Sequence, residues 1–236
     1  MPLPERLLVT GGASGIGRAI ADEGISRGWD VVVLDRDPAP VGLGILADLS
    51  DTGGTAAALA EVLSGGPVTR LVNNVGAVFP AALHEQTLAD LDGAYGLNLR
   101  CAVQCTQALL PGMTEAGFGR IVNLTSRAAL GKELRTAYAA SKAGLIGLTR
   151  VWALELGPRG ITVNAIGPGP IATELFARAN DPVRTREIVD AVPVRRIGSP
   201  GDVAHAASFF LDERAGFVTG QVLYVCGGLT VGVAPV

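Results

Sequence analysis

The sequence predicts an α/β protein: a single doubly wound domain whose seven-stranded parallel sheet is flanked by helices. Short aliphatic and β-branched runs alternate with longer amphipathic stretches along the whole 236-residue chain, which is typical of successive βαβ units. The short runs lack a polar alternation, which indicates strands buried on both faces. No repeat, low-complexity tract or linker divides the chain, so we expect residues 1–236 to form one domain.

The predicted elements follow one another in strict order. Strands are expected at residues 7–9, 31–34, 71–72, 121–122, 161–163 and 222–225, with a weaker one at 42–47. Helices are expected at residues 14–27, 54–64, 88–115, 138–157 and 200–212. The least regular stretch, about 168–198, is rich in Pro, Gly and Arg. A long irregular segment of this kind is either a variable substrate loop or an ordinary surface crossover.

Composition and charge narrow the class of function. Hydrophobic residues make up 48% of the chain, which favours a compact globule. The net charge is -3 and no basic stripe is present, so neither nucleic acid nor an anionic membrane is expected as the main partner. No apolar run approaches the roughly 20 residues that span a bilayer, and the first residues do not resemble a secretory signal. The sequence therefore predicts a cytoplasmic protein.

The three cysteines are expected to be reduced thiols, since their number is odd and their spacing forms no disulfide framework. Cys101 and Cys105 lie four residues apart on a predicted helix. They are interpreted as packing residues rather than half of a metal site, because no further ligand follows at metal-binding spacing. No metal is predicted.

A glycine-rich turn, TGGASGIG at residues 10–17, joins the first strand to the first helix. In this context Gly11 allows a tight turn, Gly15 allows close approach of a pyrophosphate, and Gly17 allows the helix to pack on the strand. The spacing is G-x-x-x-G-x-G and departs from the G-x-G-x-x-G fingerprint. Glycine also occurs in such turns merely to relieve crowding, so the turn by itself only favours nucleotide binding.

Asp35 ends the second predicted strand, 18 residues after Gly17. A carboxylate at this place can accept hydrogen bonds from the adenosine ribose and would repel a 2′-phosphate, which favours NAD over NADP. Two alternatives remain: the adjacent Arg36 weakens this preference by offering a cation, or Asp35 only caps a turn.

Tyr138 and Lys142 lie four residues apart at the start of a predicted helix. This spacing places the phenol and the ammonium on one face. A free phenol has a pKa of about 10, and a nearby cation lowers that pKa toward the range of a general base. The alternative is an exposed pair at a helix start.

These residues and several other motifs together resemble the short-chain dehydrogenase/reductase family over essentially the whole chain. The motifs that carry the resemblance are residues 10–17, Asn73-Asn74-Val75-Gly76, Asn98, Ser126, the Tyr138/Lys142 pair and Pro168-Gly169. The branch it resembles most contains 3-oxoacyl carrier-protein reductases and NAD-linked alcohol dehydrogenases.

The resemblance implies a Rossmann domain with a catalytic group of four residues. Tyr138 would exchange a proton with the substrate oxygen while hydride moves to or from nicotinamide, and Lys142 would lower the tyrosine pKa and hold the nicotinamide ribose. Ser126 would hydrogen-bond the same oxygen, and Asn98 would anchor a water that links Lys142 to solvent. Thr125 is the alternative hydroxyl, but Ser126 matches the family's serine.

The resemblance also implies the cofactor contacts and the assembly. The expected NAD-binding residues are Gly11, Ser14, Gly15, Ile16, Gly17, Asp35, Asp48, Leu49, Asn74, Gly76, Tyr138, Lys142, Pro168, Ile171 and Thr173. A homotetramer would form through the helices at 88–115 and 138–157. The apolar residues of these helices either mark that interface or fill the core: Cys101, Val103, Leu109, Leu145, Ile146, Leu148 and Trp152.

Some residues depart from the family pattern or stand outside it. Val75 replaces the usual Ala, and Cys226 replaces an Asp that lies near a subunit contact in relatives. Arg127 either meets an anionic substrate or pairs with Glu133. No functional role is expected for His84 or His205.

The prediction is therefore an NAD(H)-dependent oxidoreductase acting on a secondary alcohol or ketone, a small-molecule substrate. Leu134, Leu175 and Phe176 indicate an apolar pocket for it. The nearest rival is a 3-oxoacyl thioester reductase, and a remote alternative is a non-catalytic NAD-binding sensor.

Overall fold

Seven parallel strands form one sheet in the order β3-β2-β1-β4-β5-β6-β7. The computed structural model describes residues 5–231. The strands are β1 (Arg6–Thr10), β2 (Asp30–Asp35), β3 (Leu43–Leu46), β4 (Arg70–Asn73), β5 (Gly119–Leu124), β6 (Ile161–Pro168) and β7 (Val222–Val225). The doubly wound fold predicted from the sequence is confirmed. The strand order reverses between β1 and β4, and a ligand crevice is expected outside the carboxyl ends of the strands at such a point.

Helices cover both faces of the sheet. They are α1 (Gly15–Ser26), α2 (Thr52–Ser64), α3 (Leu88–Tyr95), α4 (Cys101–Ala116), α5 (Thr136–Leu156), α6 (Glu174–Ala179), α7 (Pro182–Ala191) and α8 (Pro200–Leu211). Successive residues of β1 serve opposite faces: Leu7 and Val9 pack with α1 and α8, whereas Leu8 packs with α2 and α4. This alternation explains why the apolar runs of the central strands show no polar alternation, since side chains on both faces enter a core.

The stretch expected to be one helix, 88–115, is broken in the structure. A π-helical turn, Gly96–Arg100, separates α3 from α4. Such turns insert one extra residue and are frequent at functional sites. Of the apolar residues considered for an interface on these helices, Cys101, Leu109 and Leu145 are buried in the core. Those three do not form a surface.

The segment 168–198, expected to be irregular, contains the two short helices α6 and α7, so this part of the prediction is wrong. Thr173 caps α6 by accepting from the Phe176 amide at 3.2 Å. Asp181 caps α7 by accepting from the Arg184 amide at 2.8 Å. Pro182 stands at the first position of α7, where its missing N–H costs nothing.

Within residues 5–231, no helix combines the length and apolar character that crossing a membrane requires.

Candidate active site

The glycine-rich turn lies at the carboxyl end of β1. Gly11 and Gly15 have left-handed φ angles of 68° and 56°, which glycine adopts at little cost. A Cβ on Gly17 would stand 2.0 Å from the Gly11 carbonyl oxygen. The turn therefore requires glycine at these positions for reasons of backbone geometry.

Asn74 fastens this turn to the end of β4. Its Nδ2 donates to the carbonyls of Thr10 and Gly11 at 3.0 and 2.8 Å. In return, the Thr10 hydroxyl accepts from the Asn74 amide at 3.0 Å. The sequence placed Asn74 beside the adenosine ribose, and the structure shows that its side-chain amide is used to hold the turn at the switch point.

Asp35 stands at the end of β2, beside the same turn. Its Oδ2 accepts from the Ala13 amide at 2.9 Å and its Oδ1 from the Asp37 amide at 3.1 Å. Asp35 therefore does cap the turn, as one of the two alternatives predicted. A carboxylate has about four acceptor sites, so Asp35 keeps capacity for ribose hydroxyls. The Arg36 guanidinium lies 3.7 Å from Asp37, which offsets its charge.

The start of α1 fits a pyrophosphate. Ser14 precedes the helix with an extended backbone and makes no side-chain capping bond. A Cβ on Gly15 would lie 3.3 Å from the Thr173 methyl, so Thr173 forms the opposite wall of a space that only glycine leaves open. The first amides of α1, including that of Ile16, have no partner within the helix and attract anions.

The residues expected near adenine follow β3. The Ala47 amide donates to the Asp35 carbonyl at 2.8 Å, which sets this segment beside β2. Leu49 is buried in the core, whereas Asp48 is exposed. Hydrogen bonds from Ser50 lower the pKa of Asp48, so its carboxylate stays charged.

Tyr138, Lys142 and Ser126 come together at the carboxyl end of β5. The Lys142 Nζ donates to the Leu124 carbonyl at 2.7 Å and lies 5.9 Å from the centre of the Tyr138 ring. Ser126 follows this strand by two residues and interacts with the Tyr138 phenol. The two expected catalytic residues of α5 thus share one face, next to the expected serine.

Burial dominates the ionisation of this group. It lowers the pKa of Lys142 to about 8. It raises the pKa of Tyr138, and the Ser126 hydrogen bond and the charge of Arg135 act in the opposite direction. Burial is thus the largest influence on the pKa of Tyr138, and the expected effect of Lys142 on that pKa stays a prediction.

Asn98 lies in the π-helical turn and joins three parts of the site. Its Oδ1 accepts from the Ala77 amide at 2.7 Å, and its Nδ2 donates to the Ala77 carbonyl at 3.0 Å and the Ser141 hydroxyl at 2.9 Å. The Ser141 hydroxyl in turn donates to the Tyr138 carbonyl at 2.9 Å. The side chain of Asn98 thus positions α5, and the water relay through Asn98 stays a prediction.

Gly76 lies against the side chains of Asn98 and Lys142. A Cβ there would lie 3.0 Å from the Asn98 Oδ1 and 3.1 Å from the Lys142 Nζ. Any larger residue would press on the lysine. The backbone of Gly76 therefore forms a wall beside Lys142, and its expected contact with the cofactor stays a prediction.

The two hydroxyls after β5 have different partners, and the catalytic role of Ser126 stays a prediction. The buried Thr125 hydroxyl donates to the Lys142 carbonyl at 2.6 Å. The half-buried Ser126 accepts from the Ala128 amide at 3.1 Å, and it is the hydroxyl that reaches Tyr138.

The segment after β6 approaches the site from the other side. Gly169 is packed against Cys226, whose Cα would lie 2.7 Å from a Cβ on the glycine. Pro168 is the last residue of β6. Ile171 is buried and pairs with Gly198, which closes the base of the segment that carries α6 and α7.

Sequence reasoning missed Ser141 and Ala77, whose contacts to Asn98 depend on tertiary structure. The exposed His84 and His205 lie outside the site. Cys101 and Cys105 are both buried, with their sulfurs 3.9 Å apart. Among residues 5–231, no group of three His, Cys, Asp or Glu side chains is placed to hold a metal.

A family model described as enoyl-(acyl carrier protein) reductase matches residues 11–230. The chain belongs to the short-chain dehydrogenase/reductase family. The match covers almost the entire described chain, including every catalytic and cofactor residue expected from the sequence.

Curated relatives cover the chain nearly end to end. A (2S)-[(R)-hydroxy(phenyl)methyl]succinyl-CoA dehydrogenase subunit, BbsD, of Thauera aromatica is 38% identical and covers 94% of each chain. An acetoacetyl-CoA reductase of Rhizobium meliloti is 37% identical, over 94% of this chain and 96% of the relative.

Among solved structures, one provisionally assigned as an NAD(P)-dependent gluconate 5-dehydrogenase of Beutenbergia cavernae is 33% identical. It covers 98% of both chains with a TM-score of 0.92 and contains NADP at low occupancy.

Proposed function

We propose that this protein transfers hydride between NAD(H) and a secondary alcohol or ketone, with Tyr138 as general acid and base. The observation that carries the proposal is the convergence of Ser126, Tyr138 and Lys142 beside Gly76, at the carboxyl edge of the sheet. The bound nicotinamide would supply the hydride chemistry. The chain's own residues orient the substrate and move one proton.

In the oxidation direction, the Tyr138 oxygen would accept the proton of the substrate hydroxyl, and a bound nicotinamide would accept the hydride from the same carbon. Ser126 donates a hydrogen bond to the same substrate oxygen, on which negative charge develops, so it stabilises the transition state more than the ground state. Lys142, held by the Leu124 carbonyl, places a cation beside both the phenol and the Gly76 wall. That position suits a group that binds the nicotinamide ribose.

Asp35 supports NAD as the cofactor. Its carboxylate stands beside the glycine-rich turn and would repel a 2′-phosphate, and Arg36, which follows it in the chain, is paired with Asp37. The related structure from Beutenbergia cavernae contains NADP. Titration of this chain with NAD and with NADP therefore tests the preference for NAD. A cytoplasmic location and a homotetramer complete the proposal.

A second candidate is a 3-oxoacyl thioester reductase. The names of two relatives, the [hydroxy(phenyl)methyl]succinyl-CoA dehydrogenase subunit BbsD and the acetoacetyl-CoA reductase, describe action on coenzyme A thioesters. The chemistry at Tyr138 would be the same, so a substrate panel that contains alcohols and acyl thioesters separates the two candidates.

The replacement Tyr138→Phe tests the mechanism. It removes the proton donor and keeps the ring, so turnover should fall about 100- to 10,000-fold, while NAD binding by calorimetry stays within about threefold of the wild type. A variant that retains turnover contradicts the mechanism. Tight NAD binding by the wild type without turnover on any substrate would favour the non-catalytic sensor.

The pH profile gives a second readout of the same residue. Oxidation requires the tyrosinate, so kcat/KM for the alcohol should rise with pH, whereas kcat/KM for the ketone should fall. Because burial raises the pKa of Tyr138 and sets that of Lys142 at about 8, the change should extend over the neutral to alkaline range. A flat profile in both directions argues against Tyr138.

A further inference from the structure

The segment that connects Ser126 to α5, residues 127–135, is strongly basic; we call it the basic segment. It carries Arg127, Lys132 and Arg135 and a single carboxylate, Glu133, in a chain whose net charge is -3. Arg127 directly follows Ser126, and Arg135 precedes Tyr138 by three residues. The basic segment therefore lies between Ser126 and Tyr138, the two residues that the proposed function places at the substrate oxygen.

The cations of the basic segment lack carboxylate partners. Within residues 5–231, Arg127 and Lys132 form no hydrogen bond or ion pair through their side chains, and Arg127 does not pair with Glu133. The guanidinium of Arg135 donates only to the Leu134 carbonyl, at 2.8 Å. Several exposed arginines elsewhere do have partners, for example Arg196 with Asp202 at 2.7 Å.

The charges of the basic segment lie close enough to act on one another. Burial lowers the pKa of Lys132, and the charges of Arg135, Arg127 and Arg184 lower it further. Arg184 belongs to α7 of the segment after β6, and its own charge is offset by Glu187 at 2.8 Å. Neighbouring cations without carboxylate partners repel one another. A bound anion would reduce that repulsion.

One cation of the basic segment, Arg135, acts on the Tyr138 phenol. The charge of Arg135 lowers the pKa of Tyr138, so at least one member of the basic segment lies within electrostatic reach of the phenol. Arg127 is half-buried, and a partly desolvated guanidinium without a partner is costly unless a ligand supplies one. A guanidinium is well suited to a carboxylate or a phosphate, since it can form two parallel hydrogen bonds.

We propose that the substrate carries an anionic group, a carboxylate or a phosphate, which Arg127 and Lys132 bind while Ser126 and Tyr138 hold the reacting oxygen. This inference rests on the proposed function and specifies its substrate class. A carboxylate would belong to a small hydroxy acid, and a phosphate to the carrier of an acyl thioester. The basic segment then acts as the specificity element of the site.

The test compares matched charged and neutral substrates. One arm uses NAD-linked oxidation of hydroxy acids of three to six carbons and of their methyl esters. The other arm uses 3-hydroxybutyryl-coenzyme A and its uncharged N-acetylcysteamine thioester. In at least one arm, kcat/KM for the charged member should exceed that for the neutral one by about tenfold or more, as expected for a hydrogen bond to a charged group.

The double variant Arg127→Met/Lys132→Met should reduce this charged-to-neutral ratio about tenfold, chiefly through KM. Arg127→Lys should retain part of the ratio. The matched control is Arg159→Gln, an exposed arginine just before β6 at the opposite, amino-terminal edge of the sheet, which should leave the ratio unchanged. A preference for the hydroxy acids over their methyl esters identifies the anionic group as a carboxylate. A preference found only for the coenzyme A thioester identifies it as a phosphate.

Two results overturn the inference: equal kcat/KM for charged and neutral members in both arms, or equal losses on both members in the double variant. Calorimetric binding of acetate and inorganic phosphate to the NAD-saturated protein separates this inference from the proposed function. Anion binding that the double variant loses, without turnover of any alcohol, would support the anion site and contradict the oxidoreductase.

Discussion

Lys142 shows how a single residue can oppose stability and serve function. Its ammonium is buried, and burial lowers its pKa from 10.5 to about 8. Below pH 8 the folded protein must hold a buried charge that water would solvate better in the unfolded chain. Between pH 8 and 10.5 the unfolded state binds the proton that the folded state has lost, so stability rises with pH. The cost at neutral pH is on the order of 3 kcal/mol.

We therefore expect Lys142→Met to abolish turnover and yet stabilise the protein at pH 7. The hydrogen bond to Leu124, worth about 1 kcal/mol, is lost, so the net gain in the free energy of unfolding should be about 2 kcal/mol. Urea denaturation at pH 7 and pH 10 measures it. The gain should vanish at pH 10, and a variant equally destabilised at both pH values would contradict this account.

Asp35 carries the prediction for cofactor choice. Asp35→Asn removes the negative charge but keeps an oxygen that can accept from the Ala13 amide. The ratio of kcat/KM for NAD to that for NADP should therefore fall by about tenfold without loosening the glycine-rich turn. Asp35→Ala should relax the ratio and also weaken binding of both cofactors.

Asp37→Asn tests the contribution of Arg36, since Asp37 is exposed and pairs with Arg36 at 3.7 Å. It frees the Arg36 guanidinium to meet a 2′-phosphate, so the ratio should fall, but by less than in Asp35→Asn. If the wild type already prefers NADP in a titration, the argument from Asp35 is wrong.

Single residues could be predicted from the sequence where a local rule fixes their geometry. Tyr138 and Lys142 share a face because residues four apart on a helix always do. The water relay expected at Asn98 stays a prediction, and the contacts of its amide with Ala77 and Ser141 were not foreseen. Those partners come from α5 and from the loop after β4, and no local pattern specifies which of them an amide will meet.

At the scale of elements, the glycine-rich turn couples one helix to the cofactor site. Gly17→Ala would place a Cβ 2.0 Å from the Gly11 carbonyl and 2.5 Å from the Asn74 Nδ2. Either α1 moves outward or the Asn74 bonds break, at a cost of about 1–3 kcal/mol. We expect NAD affinity to fall at least about tenfold, measured by calorimetry.

The matched control for Gly17 is Gly157, where an added Cβ meets nothing within 4 Å. Its backbone is helical, with φ -51° and ψ -45°, so Gly157→Ala should be neutral or stabilising by up to about 1 kcal/mol. Equal NAD affinity in the two variants would show that the turn tolerates a side chain.

The central strands were predicted well because residues buried on both faces leave an apolar run without polar alternation. The break in the helix predicted at 88–115 was missed, because a π-helical turn changes the hydrogen-bond register without interrupting the apolar pattern. The helices α6 and α7 were missed for a different reason. Their prolines suggested a loop, whereas Pro182 stands at a helix start, next to the capping residue Asp181.

At the scale of the whole molecule, the doubly wound order brings the ends of β1, β4, β5 and β6 to one edge, where the site assembles. This could be predicted from alternating strands and helices. The assembly of subunits could not be predicted in the same way. Three of the residues considered for an interface, Cys101, Leu109 and Leu145, are buried in the core. The structure instead leaves apolar residues exposed on α5: Leu154 is 81% exposed and Val151 is 48% exposed.

These two residues carry the prediction for the homotetramer. They lie on α5 near the exposed Gly147, whose missing side chain allows another helix to approach closely. If copies of the chain pack through α5, Leu154→Glu buries a charge at each contact, which costs several kcal/mol. Sedimentation velocity should then show smaller species than the wild-type tetramer. Phe217→Glu is the control, because Phe217 is fully exposed in the loop between α8 and β7, and it should leave the tetramer intact. A wild type that sediments as a monomer, or a tetramer that survives Leu154→Glu, would move the interface away from α5.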